Sequence, residues 1–418
     1  MSLTDPPLHR YSLSIMTIGF DPTDPGFIAD PYPALNLLRE TTRISYDARS
    51  KLHLVTRFDD VRAALVDRGL GRVHDHVVSR AEIGLAPRDD RWGPFWNVEK
   101  WSLLELEPPD HTRIRKLITH AFTSRTVEKL RNPARRLADQ ILAPLAAQGT
   151  MELLADFAQP YSVQLIASLL GVPLEDGPQL IQWSHAMVKM YELATSDEQA
   201  AAASTAAAEF DTYVRDFIER RASEPRADLI SSLILAEVDG ERLTEEELVS
   251  TVIVLLNAGH EATVNTMGNG IVAFLRHPEE WQRVVTGEVP ARVAIEEMIR
   301  WDAPLHLFER WVLEDGVEIA GTSFGLGDKV GLLFGSANRD PRRFDRPDDF
   351  VAARGDSQHI GFGGGIHRCI GAPLARLELE VGLEALVSHF PDMELAASPI
   401  RHPTFVIRGY DGVALVRR

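Results

Sequence analysis

A helical pattern that opens at Thr244 meets no stop before His277–Pro278, and it constrains this chain more than any other feature. Thr244 followed by Glu247 is a capping-box start, and the histidine–proline step is a stop. About 32 residues at 1.5 Å each span roughly 48 Å, enough to cross the whole molecule. Between Val249 and Leu256 the pattern is apolar on nearly every side, which implies burial all round. Those eight residues are too few for a membrane span. The segment Ala258-Gly259-His260-Glu261-Ala262-Thr263 then sets small residues and an acid in the middle of the helix. Such a step either seats another helix, with Glu261 reaching a partner, or removes bulk so that something flat can lie against it.

The rest of the chain reads as mainly α with a few small β-sheets. Helical periodicity predicts Val61–Val66, Val127–Ala147, Leu180–Leu193, Ala201–Ala222, Leu229–Glu237, Ala291–Arg300 and Ala372–His389. Short strands are predicted at His53–Val55, Val312, Val317–Ile319, Thr404–Arg408 and Val413–Val416, the last two across a turn at Gly409–Gly412. No repeat or low-complexity linker divides the chain, so residues 1–418 read as one domain, with 1–20 as a loosely ordered N-terminal extension. That extension has no apolar run long enough for a signal peptide or a spanning helix. Asp plus Glu is 61 against 44 for Lys plus Arg, a net −17, which argues against a general nucleic-acid binder. The expectation is a cytoplasmic protein bound to neither nucleic acid nor membrane.

The chain has one cysteine, Cys369, so it cannot close an internal disulfide, form a CxxC zinc knuckle or hold an iron–sulfur cluster. Three glycines precede it in Phe362-Gly363-Gly364-Gly365-Ile366-His367-Arg368-Cys369-Ile370-Gly371-Ala372-Pro373, where the backbone can turn tightly and approach a neighbour. Pro373 suits the first turn of a helix, so the thiol sits just before a helix N-terminus, with His367 and Arg368 beside it. A thiolate is expected to form here. It could be a nucleophile, although His367 is awkwardly placed as its base, or a metal ligand. A metalloprotease is excluded, because Val264 stands where an HExxH motif needs its second histidine.

Phe362, Gly363, Gly365, His367, Cys369 and Gly371 together resemble the haem-binding signature of the cytochrome P-450 family of haem-thiolate monooxygenases. Other blocks resemble the family in the same order. Ala258–Thr263 resembles its oxygen-binding groove, Glu297-Met298-Ile299-Arg300 its E-x-x-R, and His111-x-x-x-Arg115 the helix that meets the haem propionates. Asn338–Pro341 with Phe344, Pro347 and Phe350 resembles the meander before the ligand loop. The resemblance implies a triangular, haem-binding single domain with a long central helix. It implies haem b as cofactor and Cys369 as the axial thiolate ligand of its iron. His111, Arg115, Arg310 and His367 would bind the propionates. Glu297, Arg300 and Arg354 would form a structural group, although the family's acid after the meander phenylalanine is Val351 here.

The implied reaction inserts one oxygen atom of O2 into a small hydrophobic substrate, with electrons from a separate ferredoxin system. The catalytic groove would be Glu261, Ala262 and Thr263 with Ala258 and Gly259. Family members carry an acid followed directly by threonine, whereas Glu261 here is followed by Ala262 and Thr263 comes about 100° further round the helix. A substrate hydroxyl or an ordered water is expected to replace the missing side chain, with Glu261 still in the proton path. By position in the family pattern the pocket walls fall in Arg72–Trp101, Leu180–Leu193, Leu305–Phe308 and Thr404–Val406, with Trp92, Phe95 and Trp96 as aromatic candidates. Arg113, Lys116, Arg368 and Arg376 are candidates for a basic ferredoxin-docking patch. The alternatives are a peroxide-driven or non-oxygenating haem-thiolate enzyme and, in a different class, a haem-binding sensor or electron carrier.

Overall fold

The long helix forms as the capping residues dictate. In the structure, a computed structural model that describes residues 19–418, it runs Glu245–Arg276. The Thr244 hydroxyl accepts the Glu247 N–H at 3.3 Å, and the Glu247 carboxylate accepts the Thr244 N–H at 2.9 Å. Helices Gln159–Leu170, Gly177–Val188, Asp197–Ser223, Ala291–Trp301 and Ala372–His389 pack around it. This enclosure explains why Val249, Thr251, Val252 and Val254, which point in different directions, are all buried.

The sheets are small. The largest has five strands in the order Ile44–Asp47, Leu52–Val55, Lys329–Leu333, Leu307–Val312, Leu70–Gly71. All its pairs are antiparallel except Leu52–Val55 with Lys329–Leu333. A three-stranded sheet joins Thr150–Glu152, Ala414–Arg417 and Met393–Leu395, and two two-stranded ribbons complete the set.

Several boundaries differ from the sequence expectation. The helix expected over Val127–Ala147 is two, Ser124–Glu128 and Arg131–Gln148, and that over Leu180–Leu193 ends at Val188 in a 3₁₀ turn. Thr404–Arg408 is not a strand. Its Phe405, Val406 and Ile407 N–H groups donate to the Glu192 carboxylate at 3.3, 3.1 and 2.9 Å, and on its other edge it makes only an isolated bridge, Ile407 with Leu305, instead of a ladder. Tyr410–Gly412, expected as a turn, is a strand paired with Ile400–Arg401. Most of the expected extension, residues 1–20, lies outside the described residues. Its last member is core: Phe20 is 2 % exposed, with its ring edge-on to Phe27 and Phe405. Among the described residues no helix is long and apolar enough to cross a membrane.

Candidate active site

The cysteine loop gets its shape from two glycines and a neighbouring carbonyl. Gly363 and Gly365 have φ of +65° and +63°, backbone that L side chains rarely adopt. A Cβ on Gly365 would lie 2.0 Å from the Leu65 carbonyl oxygen in helix Phe58–Val66. The loop closes when the Cys369 N–H donates to the Phe362 carbonyl at 2.9 Å. Cys369 then stands just before helix Ala372–His389, its thiol open to a cavity yet surrounded by protein on most sides. Burial pushes the thiol pKa up, while the Gly371 and Ala372 N–H groups and Arg115 pull it down. The net direction is upward, which corrects the expectation that the loop alone makes a thiolate. A bound cation would pull the pKa down again and favour the anion.

A cationic and imidazole cluster borders the loop. The His367 ring Nε2 lies 3.1 Å from a Glu107 carboxylate oxygen, and the His111 ring is 4.5 Å from that of His367. Neither ring nitrogen of buried His111 has a partner, and burial followed by the charge of His367 lowers its pKa to about 4. His111 is therefore a neutral hydrogen-bonding group at pH 7. Arg310 is 2 % exposed, stands over the Phe308 ring at 4.4 Å and leaves its Nη2 without a partner. Burial, then nearby Arg72, pushes its pKa down to about 9. Arg115 donates to the Arg368 carbonyl at 2.6 Å. Sequence reasoning missed Arg72 as a charged partner and Glu107 altogether. Arg72 donates to the Glu309 carbonyl at 3.1 Å, and Glu107 accepts the Arg72 backbone N–H. No local pattern marks these contacts, because their partners lie 35 or more residues away.

Across the cavity the central helix runs unbroken through residues 258–263. Ala258 and Ala262, one turn apart, are exposed on the face toward the cavity. Gly259 turns sideways, where an added Cβ would lie 3.2 Å from Ile166 of helix Gln159–Leu170. The small-residue step thus does both things open from the sequence: its alanines leave room, and its glycine seats a helix. Thr263 is 5 % exposed, with its hydroxyl donating back to the Gly259 carbonyl at 3.4 Å. Burial raises the Glu261 pKa to about 7.

The cavity measures about 520 Å³. It gathers Cys369, Phe362, Gly363, His367, Gly371, Arg115 and Arg310 with Ala258, Gly259, Glu261, Ala262 and Thr263. His111 and Gly365 are not in its wall; the first lies behind His367 and the second is pressed on Leu65. Phe95 and Trp96 line it and Trp92 does not; Trp92 sits instead beneath Arg91, 4.6 Å away. The residues fit a haem: a thiol on one wall, bare alanines facing it, and a buried guanidinium, Arg310, with an unpartnered Nη2 and no carboxylate within ion-pair distance among the described residues.

Glu297, Arg300 and Arg354 sit apart from the cavity. Arg300 forks onto Glu297 at 2.7 and 2.8 Å and donates to the Asn338 and Pro347 carbonyls. Arg354 reaches the same carboxylate at 3.1 Å. The four basic candidates near the loop are mostly committed to acids: Arg113 to Glu247, Lys116 to Asp239 and Arg376 to Glu296. Among the described residues, Arg368 alone of the four has no carboxylate within ion-pair distance.

Comparison with known proteins agrees with this geometry. The cytochrome P450 family model matches residues 96–289 and 291–400. The polyketide biosynthesis cytochrome P450 PksS of Bacillus subtilis is 35 % identical over 389 residues, covering 91 % of this chain and 93 % of that protein. The vitamin D(3) 25-hydroxylase of Pseudonocardia autotrophica is 36 % identical over 379 residues, covering 88 % and 89 %. Among solved structures, P450BioI in complex with an acyl carrier protein superimposes with a TM-score of 0.87 at 30 % identity, covering 94 % of this chain and 100 % of that one. The chain belongs to the cytochrome P450 family and is a monooxygenase whose cofactor is haem b.

Proposed function

We propose that the protein hydroxylates a small hydrophobic organic molecule in the cytoplasm, inserting one atom of O2 and drawing electrons from a separate ferredoxin. The observation that carries this reading is that Cys369 and the bare Ala258–Ala262 face line one cavity. Cys369 would ligate the haem iron, with Arg115, Arg310, His111 and His367 serving the propionate edge. The bound haem supplies dioxygen activation, and the protein sets position, water access and proton supply. Phe95, Trp96, Leu103, Leu169 and Val406 give the cavity apolar walls suited to a hydrophobic guest. Glu261, half-protonated near pH 7, is placed to hold and release a proton at its carboxylate. With Ala262 lacking a hydroxyl, the substrate or a water would carry the last hydrogen bond. Retention of the acid favours dioxygen over a peroxide-driven reaction. The test is a reduced carbon-monoxide difference spectrum: a Soret band at the thiolate position is expected, and a histidine-type band overturns Cys369 ligation. Turnover with ferredoxin and O2, compared with peroxide alone, then tests the electron source.

A further inference from the structure

We propose that His185, His260 and Glu261 form a binding site for a divalent transition-metal cation, zinc foremost, beside the haem pocket and sharing Glu261 with its wall. Helix Gly177–Val188 brings His185 across the central helix to the consecutive residues His260 and Glu261. One ligand atom from each lies within 4.8 Å of the other two. His185 Nε2 is 3.1 Å and His260 Nε2 3.6 Å from Glu261 Oε1. Zinc bonds of about 2.0–2.1 Å in a tetrahedron put neighbouring ligand atoms about 3.3 Å apart, so these separations bracket what the ion requires.

The polar atoms are otherwise unexplained. His260 is 1 % exposed, yet neither of its ring nitrogens has a hydrogen-bond partner. Glu261 Oε1 also lacks one, although His185 Nε2 is near enough, because the two are not aligned for a hydrogen bond. Burying such groups without a partner costs their full desolvation. Two imidazoles and a carboxylate oxygen gathered within 4.8 Å of one another are an arrangement a cation would satisfy. Burial holds both histidines in their neutral, ligating form, with His260 at about 3.

Two imidazoles and a carboxylate are a zinc donor set that leaves a fourth position for water. A second, polar pocket of about 150 Å³ adjoins it, lined by His185 and Glu261 with Lys189, Glu192, His402 and Asp411. It offers an entry path and room for that water. Lys189 opposes a cation there, and Glu192 and Asp411 offset it. An ion held at this site would take the Glu261 carboxylate out of proton delivery, and this last consequence alone rests on the function proposed above.

The experiment is equilibrium dialysis of the haem-loaded protein against Zn2+, with bound metal measured directly. Haem loading matters because it keeps Cys369 from competing. One tight site is expected. His185→Ala, at a half-exposed position, should weaken it by about 100-fold or more, since even groups that only orient ligands are worth roughly 10–100-fold. His402→Ala should leave it intact. An unchanged Soret spectrum confirms that each variant is folded. Absence of tight binding, wild-type affinity in His185→Ala, or loss of the site in His402→Ala overturns the proposal. Turnover is read separately: zinc that binds without slowing it refutes the proton role of Glu261 and leaves the metal site standing.

Discussion

Arg354 Nε lies 3.1 Å from the Glu297 carboxylate that Arg300 already grips with two N–H groups, so one buried acid serves two guanidiniums. The same carboxylate also accepts the Val351 N–H at 2.9 Å. Val351 stands where the family pattern carries an acid, and its backbone still reaches the cluster. Glu297 and Arg300 are each 1 % exposed. Replacing Glu297 by Ala strands a buried cation and should cost roughly 3–5 kcal/mol. Arg354→Ala, at a partly exposed site, should cost about 1.5–3 kcal/mol. Urea unfolding of the haem-loaded protein measures both, and equal costs would refute this ranking.

Gly365→Ala should cripple haem retention. The position combines φ of +63° with a Cβ placed 2.0 Å from the Leu65 carbonyl, and backbone cannot yield as a flexible side chain can. Strain of at least about 1–3 kcal/mol is expected, taken up by displacement of the cysteine loop. Gly364→Ala is the control. Its φ of −160° is ordinary extended backbone, and its Cβ would meet only the Leu65 side chain at 3.3 Å. The ratio of haem to protein after purification should drop for Gly365→Ala and hold for Gly364→Ala.

These contrasts show what was legible beforehand. The central helix could be read within a residue because its start is a local device, Thr244 with Glu247. The cysteine loop was readable because φ > 0 and close approach leave glycines in the sequence. What could not be read depends on distant partners. Thr404–Arg408 has strand-like residues, but the N–H groups of Phe405, Val406 and Ile407 go to Glu192, over 200 residues away. Arg72 and Glu107 meet around the sheet edge, and His185 meets Glu261 only where two helices cross. No spacing rule encodes such pairs. The six-residue groove was legible as a composition, but only helix packing tells Gly259, which faces Ile166, from Ala262, which faces the cavity.

Ala262→Thr should raise the share of electrons recovered in product. Ala262 faces the cavity beside Glu261, whereas the Thr263 hydroxyl is turned back to the Gly259 carbonyl. A restored hydroxyl contributes about one hydrogen bond, near 1 kcal/mol, or roughly fivefold in partitioning between product and wasted reduction. Product formed per NADH consumed is the readout. No change would mean that the substrate or a water already fills the role completely.

The pH dependence of turnover should carry the signature of Glu261. Burial raises its pKa to about 7, so the carboxyl is protonated below that pH and ionised above it. A group that donates a proton is depleted as pH rises, so proton-limited turnover should fall through a limb near pH 7. Glu261→Gln removes the titration, and with it the limb, at the cost of a lower plateau. The stability effect has the same sign. An acid whose folded pKa is raised favours the fold at low pH, and that stabilisation is lost as pH climbs from its ordinary value toward 7. A limb that persists in Glu261→Gln assigns the titration to another group.

Reduction by ferredoxin should depend on Arg368 more than on the other cations around the haem loop. Arg113, Lys116 and Arg376 are paired with Glu247, Asp239 and Glu296, which leaves little free positive potential at those positions. Arg368 is exposed, precedes the cysteine directly and lacks such a partner, so its charge can act on an approaching acidic surface. Arg368→Glu should slow association by roughly threefold to tenfold at low salt, because reversing an exposed charge acts chiefly on the encounter rate. The difference should shrink as ionic strength rises and the screening length falls to about 8 Å at 0.15 M. Arg113→Ala should change association little, since it removes a charge that is already neutralised. Stopped-flow reduction over a salt series separates the two variants, and an effect of Arg368→Glu that ignores salt would point to altered loop geometry instead of docking.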